Sequence, residues 1–180
     1  MTSYIPHLTL PNAFFTHPAS AILLPVGLGA AVGFSISSRK TQEMYTQMRQ
    51  PAYRPPPWLF GPAWTALYGL MGYSAYRAMS TGLTSINPIT RGLALHGATL
   101  YSIQLGLNLA WMPTFFKFKQ PALAAVDIVS LLGVTSYLTY TWGQVDEVAA
   151  WALVPYLGWL GFATYLNVGA SLLSPLEIYR

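Results

Sequence analysis

Charged residues divide this chain into long uncharged stretches, and those stretches constrain its fold more than any other feature. None occurs before Arg39, and no Asp, Glu, Lys or Arg falls within 55–76, 92–116, 128–145 or 148–176. A helix needs roughly 20 mostly apolar residues to cross the hydrocarbon core of a bilayer. A soluble domain carries about 25% charged residues; here the figure is 8% of 180 residues, with 53% hydrophobic. So few charges cannot cover a soluble globule, so the expected class is an integral membrane protein. The uncharged stretches predict an all-α bundle of five transmembrane helices, at about 18–38, 58–79, 92–115, 121–143 and 149–173. Residues 18–176 then form one transmembrane domain, between a flexible extension over 1–17 and a short tail over 177–180.

Five spans put the two termini on opposite sides. Arg39, Lys40, Arg49, Arg54, Lys117, Lys119 and Arg180 then share one side, and Arg77 and Arg91 lie on the other. Basic residues concentrate on the cytosolic side of membrane proteins, so loops 1 and 3 and the C-terminus are expected to be cytosolic. The first 17 residues contain no Lys or Arg, unlike a transit peptide or the basic start of a secretory signal. The first span is therefore expected to remain in the mature protein.

Several chemistries have no support. With no cysteine, the chain has no disulfide, no thiolate nucleophile and no Cys-ligated metal. His96 near the start of the third span has no second ligand at usable spacing, so no metal site is expected. No P-loop, nucleotide-binding glycine pattern, Ser–His–Asp order or paired carboxylate site occurs. No catalytic residue and no nucleic-acid partner is expected.

The informative stretch is "PAYRPPPWLFGPAWTALYGLMGY", from Pro51 to Tyr73. Pro55, Pro56 and Pro57 have fixed φ and no N–H, so they make a stiff lead-in that can brace loop 1 as a lid. Pro62 fits the first turn of a helix starting near Trp58. Residues four apart share a helix face, which aligns Trp64, Tyr68 and Gly72, with Trp58 and Gly61 before them. In the third span "SIQLGLNLAWMPTFF" aligns Gln104, Asn108 and Trp111; in the fifth "PYLGWLGFATYLN" aligns Pro155, Trp159, Ala163 and Asn167. Asp127 is the carboxylate of the fourth span. Amides and carboxylates are costly in hydrocarbon and face the bundle interior with partners. Gln104 and Asn108 fit either a ligand cavity or plain interhelical bonding, and Asp127 fits either the interior or a capped position at the interface. Trp142 and Trp151, near span ends, fit an interfacial belt, and Trp58 fits either a belt or a cavity. Aromatic faces, small residues and amides converging in one cavity suit a planar, largely apolar ligand.

These residues resemble the translocator protein (TspO/MBR) family, also called tryptophan-rich sensory proteins or peripheral-type benzodiazepine receptors. The likeness runs through Pro56, Trp58, Gly61, Pro62, Trp64, Leu67, Tyr68, Met71, Gly72 and Tyr73. It continues in "QLGLNLAW" with Pro113, Phe115 and Phe116, in "VD" at 126–127, and in "PYLGWLGFATYLN". It extends from about Pro18 to Leu173. The resemblance implies a five-helix bundle with a pocket open toward the cytosol and lidded by loop 1. It implies porphyrin ligands such as protoporphyrin IX or haem, with no required cofactor, and sterols or other planar apolar ligands in some members. The pocket it implies comprises Tyr45, Trp64, Asn108, Trp111, Trp159, Ala163 and Leu166. It further implies homodimers and, in eukaryotes, the mitochondrial outer membrane. Departures are visible too. In "LNVGASLLSPLEIYR" Val168 stands where the family's sterol-recognition segment has a Tyr, and no basic residue follows before Arg180, so sterol binding by that route is not expected. Leu109 and Leu123 replace two tryptophans, and Thr99 and Ile103 replace two glycines.

The leading expectation is a membrane receptor or carrier for tetrapyrroles, acting in their transport, sensing or homeostasis, with Asn108, Arg54 and loop 1 orienting the propionates. A second is light-dependent porphyrin degradation, with Trp64 and Trp159 as the redox partners. A third is an outer-membrane adaptor whose basic loop 1 contacts anionic lipid or acidic proteins.

Overall fold

The computed structural model describes residues 4–36 and 55–173. Among the described residues every regular element is helical. Five long helices dominate: α1 (Pro18–Ile36), α2 (Pro57–Thr84), α3 (Pro88–Met112), α4 (Pro121–Gly143) and α5 (Glu147–Leu173). Pro18, Pro57, Pro88 and Pro121 open the first four, at the one place where a missing N–H costs nothing. Asn87 caps α3, accepting the Ile89 N–H at 2.9 Å.

Three helical stretches, Pro18–Ile36, Pro121–Gly143 and Glu147–Gly169, are long and apolar enough to cross a membrane. The five expected spans thus correspond to five long helices, with that property holding for α1, α4 and α5. Two helices differ in extent from the expected stretches: α2 runs Pro57–Thr84 against 58–79, and α3 runs Pro88–Met112 against 92–115. Because α2 starts at Pro57, Pro62 lies in its second turn rather than its first, and the Trp58 carbonyl loses its intrahelical donor. Beyond Met112, α3 widens into a π turn over Pro113–Lys117, closed by Phe118 N–H donating to the Pro113 carbonyl at 2.9 Å. Pro113 has no N–H to continue the α ladder, which explains the change of register there.

In the bundle α2 packs against α1, α3 and α5, while α4 packs against α3 and α5. Close approach depends on particular glycines. A β-carbon on Gly72 would run into the backbone of Ala21 and Ile22, so α1 meets α2 main chain to main chain. The Ala21 carbonyl at that crossing is the one that Pro25, four residues on, cannot satisfy. Trp142 is no belt residue. It is fully buried, its indole N–H donates to the Ala94 carbonyl at 3.4 Å, and its ring stacks on Tyr101 with centroids 5.6 Å apart. Trp58 and Trp151 are exposed, the latter donating to Glu147.

Residues 4–17, expected to be a flexible extension, follow a docked path along α3. The backbone N–H groups of Ile5 and Leu10 donate to the Thr99 and Ser102 hydroxyls at 3.2 and 2.9 Å. Phe15 is buried with its edge against Tyr101, centroids 5.7 Å apart. Burial of an aromatic ring in the core is the physical reason this segment is held.

At the end of the bundle where α2 meets the α4–α5 turn, Asp146 ties α2 to the start of α5. It accepts from Thr81 at 2.9 Å, from the Ala149 N–H at 3.2 Å and from Arg77 at 2.8 Å. Burial alone raises its carboxyl pKa, but these hydrogen bonds and the Arg77 charge outweigh it and hold the group below its usual range.

Candidate functional site

Tyr68 of α2 is the first element of a buried polar chain. Its hydroxyl donates to the Asn108 side-chain oxygen; the Asn108 amide donates to the Tyr156 hydroxyl at 2.8 Å; Tyr156 donates to the Gln104 side-chain oxygen at 3.2 Å. Gln104 and Asn108 are one turn apart on α3, so α2, α3 and α5 are joined through two amides. All four side chains are buried. The chain is directional: each hydroxyl donates once, and each amide oxygen accepts once. Polar links of this kind, enclosed among apolar helices, fix the relative rotation of the helices that bear them.

The aromatic side chains surround this chain on one flank. Trp64 lies 5.6 Å from Tyr68, 6.2 Å from Tyr156 and 6.3 Å from Trp159, centroid to centroid, the last two contacts edge-on. Phe60 and Phe162 each approach the Trp159 ring to 5.9 Å. Trp64 and Trp159 are half-buried and pack on the main core, whereas the ring of Tyr156 is fully enclosed. Two indoles from different helices thus stand beside a buried amide–phenol chain.

Trp111 falls elsewhere. It stacks on Phe115 at 5.3 Å and meets Phe116 edge-on, in a separate cluster with Ala124 where α3 turns toward α4. Ala163 and Leu166 are half-buried, one and two turns beyond Trp159 on α5. Pro55 is half-buried; Pro56 and Pro57 are exposed, with Pro56 extended and Pro57 already helical. Tyr45, Arg54 and the remainder of the expected lid lie outside the described residues. The structure therefore brings Trp64, Asn108 and Trp159 together and leaves Trp111 one turn away in its own aromatic group.

Several buried polar atoms have no partner among the described residues: Gln104 Nε2, Trp111 Nε1, Trp159 Nε1 and an oxygen of Asp127. Leaving such a group unmade costs about 1–3 kcal/mol. Three of the four are N–H donors on the α3 and α5 faces just described. No group of three metal-ligating side chains occurs among the described residues.

Tyr156 is the residue that the sequence reading missed. Of the stripe Pro155, Trp159, Ala163 and Asn167, Asn167 is buried, Trp159 and Ala163 are half-buried and Pro155 is exposed; the fully buried row on the same helix runs Ala149, Leu153, Tyr156 and Leu160. That row is itself a three-and-four spacing of apolar residues, so the signal was present, hidden in a helix apolar on every side.

The family model described as the TspO/MBR family matches residues 21–173. The chain is 41% identical over 155 residues to the translocator protein homolog of Schizosaccharomyces pombe, covering 86% of this chain and 90% of that relative. It is 37% identical over 152 residues to the human translocator protein, covering 83% and 86% of the two chains. Against the tryptophan-rich protein TspO of Chlorobaculum tepidum it is 38% identical over 158 residues, covering 86% and 96%.

Proposed function

The chain belongs to the TspO/MBR family, and on that premise we propose that it is a five-span membrane protein that binds tetrapyrroles within its bundle. α2 and α3 complete the set of spans begun by α1, α4 and α5, with loops 1 and 3 and the C-terminus toward the cytosol. Protoporphyrin IX or haem is the ligand class, and the role is transport, sensing or homeostasis of that ligand. In a eukaryotic cell the membrane is the mitochondrial outer one.

The observation that supports this reading is the pairing of Trp64 with Trp159, edge to face at 6.3 Å, beside the Tyr68–Asn108–Tyr156–Gln104 chain. Indole faces offer stacking area to a macrocycle. The N–H groups of Trp159 and Gln104, without a partner among the described residues, offer donors to a carboxylate or carbonyl, and an apolar wall with few placed polar groups is the usual make-up of such a site. Asn108 acts by position: it holds Tyr68 and Tyr156 at fixed rotamers, and so fixes the floor against which the indoles lie.

The test is titration of protoporphyrin IX into the reconstituted protein, read by quenching of tryptophan fluorescence. Saturable quenching is expected, and affinity should fall at least tenfold in Trp64→Phe/Trp159→Phe. Equal affinity in that double variant would remove the pocket assignment.

A further inference from the structure

We propose that Tyr101, Gln104 and Thr135 hold a buried water molecule between α3 and α4, and that it ties α4 into the polar chain joining α2, α3 and α5. Three polar atoms call for it: Tyr101 Oη, Gln104 Nε2 and Thr135 Oγ1 have no partner among the described residues. All three side chains are fully buried. Thr135 is unusual on its helix. The other Ser and Thr hydroxyls of α4, on Ser130, Ser136, Thr139 and Thr141, each donate to the carbonyl four residues back. A buried hydroxyl without such a bond needs a partner elsewhere.

The register of α3 against α4 brings the three together. Gly97 meets the Trp142 indole near one end, and Phe115 clusters with Ala124 near the other. The two helices therefore run in opposite directions, and each step forward along α3 is matched by a step back along α4. Seven residues after Gly97 is Gln104, and seven before Trp142 is Thr135. That spacing is close to two helical turns, so Gln104 faces Thr135 as Gly97 faces Trp142. Together Gln104 and Thr135 carry fewer side-chain atoms than Gly97 and Trp142, which leaves room between the helices at that level. Tyr101 lies one turn from Gln104, with its ring stacked on Trp142. Its hydroxyl is within electrostatic reach of those of Tyr68 and Tyr156, and Tyr156 itself donates to Gln104. The hydroxyl is thus directed toward the Gln104 level.

An internal water makes about three hydrogen bonds to groups that would otherwise go unmet. Here it accepts from the Gln104 amide and from one hydroxyl, and donates to the other, since a hydroxyl can do either. The Gln104 nitrogen carries two hydrogens, so one remains for a ligand. The water site does not depend on what the bundle binds.

The sign of two conservative changes tests the site. Replacing an unmet buried hydroxyl by an apolar group of the same shape is neutral or stabilising, whereas removing a met one costs stability. Tyr101→Phe and Thr135→Val should each lower the unfolding midpoint in detergent by about 2–4 °C, and the double variant should lose less than the sum. A midpoint that holds or rises in either single variant overturns the proposal, as does an additive pair. Crystals of the unaltered protein grown in lipidic mesophase give a second measurement that needs no variant to fold. Solvent density within about 3.2 Å of all three atoms is expected. Gln104 Nε2 bonded directly to Thr135, or no solvent peak among the three atoms, overturns the proposal.

Discussion

The indole of Trp142 lies where a β-carbon on Gly97 would stand. The two residues meet where α3 packs on α4, and the bond from Trp142 to the Ala94 carbonyl holds the ring in that position. Gly97→Ala must therefore push a buried ring off its stack with Tyr101. Overpacking of this kind costs about 1–3 kcal/mol. Thermal unfolding in detergent should show a lower midpoint for Gly97→Ala, and Trp142→Phe, which shrinks the ring, should recover part of the loss in the double variant. Additive losses would mean that the two residues do not press on each other.

Asn108 predicts a different pattern, because it joins two hydroxyls. Asn108→Leu keeps the volume but leaves the Tyr68 hydroxyl without its acceptor, at about 1–3 kcal/mol. Tyr68→Phe alone removes a hydrogen bond worth about 0.5–1.5 kcal/mol. Combined with Asn108→Leu, it should be neutral or stabilising, since it removes the stranded group. A double-mutant cycle on unfolding midpoints measures the coupling directly. Tyr156→Phe should show no such recovery, because Tyr156 still has Gln104 as its acceptor.

The carboxyl of Asp146 is held below its ordinary range in the folded protein by Thr81, Ala149 and Arg77, against the opposing effect of burial. A depressed folded pKa gives stability that is present above the unfolded value, about 3.9. That stability is lost as pH falls through the folded value. Wild type minus Asp146→Asn should therefore show a stability gain that is constant near pH 6 and shrinks below about pH 4. A difference independent of pH across that interval would assign the role of Asp146 to helix capping alone.

The sequence makes some of this arrangement legible and hides the rest for physical reasons. Uncharged stretches locate all five long helices, and α4 begins and ends where expected, at Pro121 and Gly143. Charge marks helix edges poorly in α2 and α3, because a helix continues past its uncharged stretch until a turn stops it, here at Ser85 and Asn87. Gln104, Asn108 and Tyr68 are legible because polar atoms in an apolar helix must find partners. Trp142 is not, since nearness to a helix end looks alike for a belt residue and for one that a neighbouring glycine admits to the core. The docked path of 4–17 is hidden as well: its anchors are two hydroxyls on α3 far away in sequence. Spacing on α3 aligns Trp111 with Asn108, but the π turn beyond it gathers Phe115 and Phe116 around its ring.

Gly69 and Gly72 provide the last prediction, because sequence puts Gly72 on the face of Trp64 and Tyr68 without showing what meets it there. A β-carbon on Gly69 meets nothing within 4 Å, whereas one on Gly72 meets the Ala21 carbonyl and the Ile22 Cα. Glycine in a helix interior is about 0.5–1 kcal/mol less stable than alanine, so Gly69→Ala should raise the unfolding midpoint slightly. Gly72→Ala gains the same backbone term and then loses more, since its obstacle is main chain that no side-chain rotation can clear. A net loss toward the upper end of the roughly 1–3 kcal/mol overpacking range is expected. Because α1 carries Ala21, the cost of Gly72→Ala should appear as separation of α1 from α2, read as a longer distance between spin labels at Val26 and Ala66. An unchanged distance with an unchanged midpoint would show that α1 does not cross α2 at that glycine.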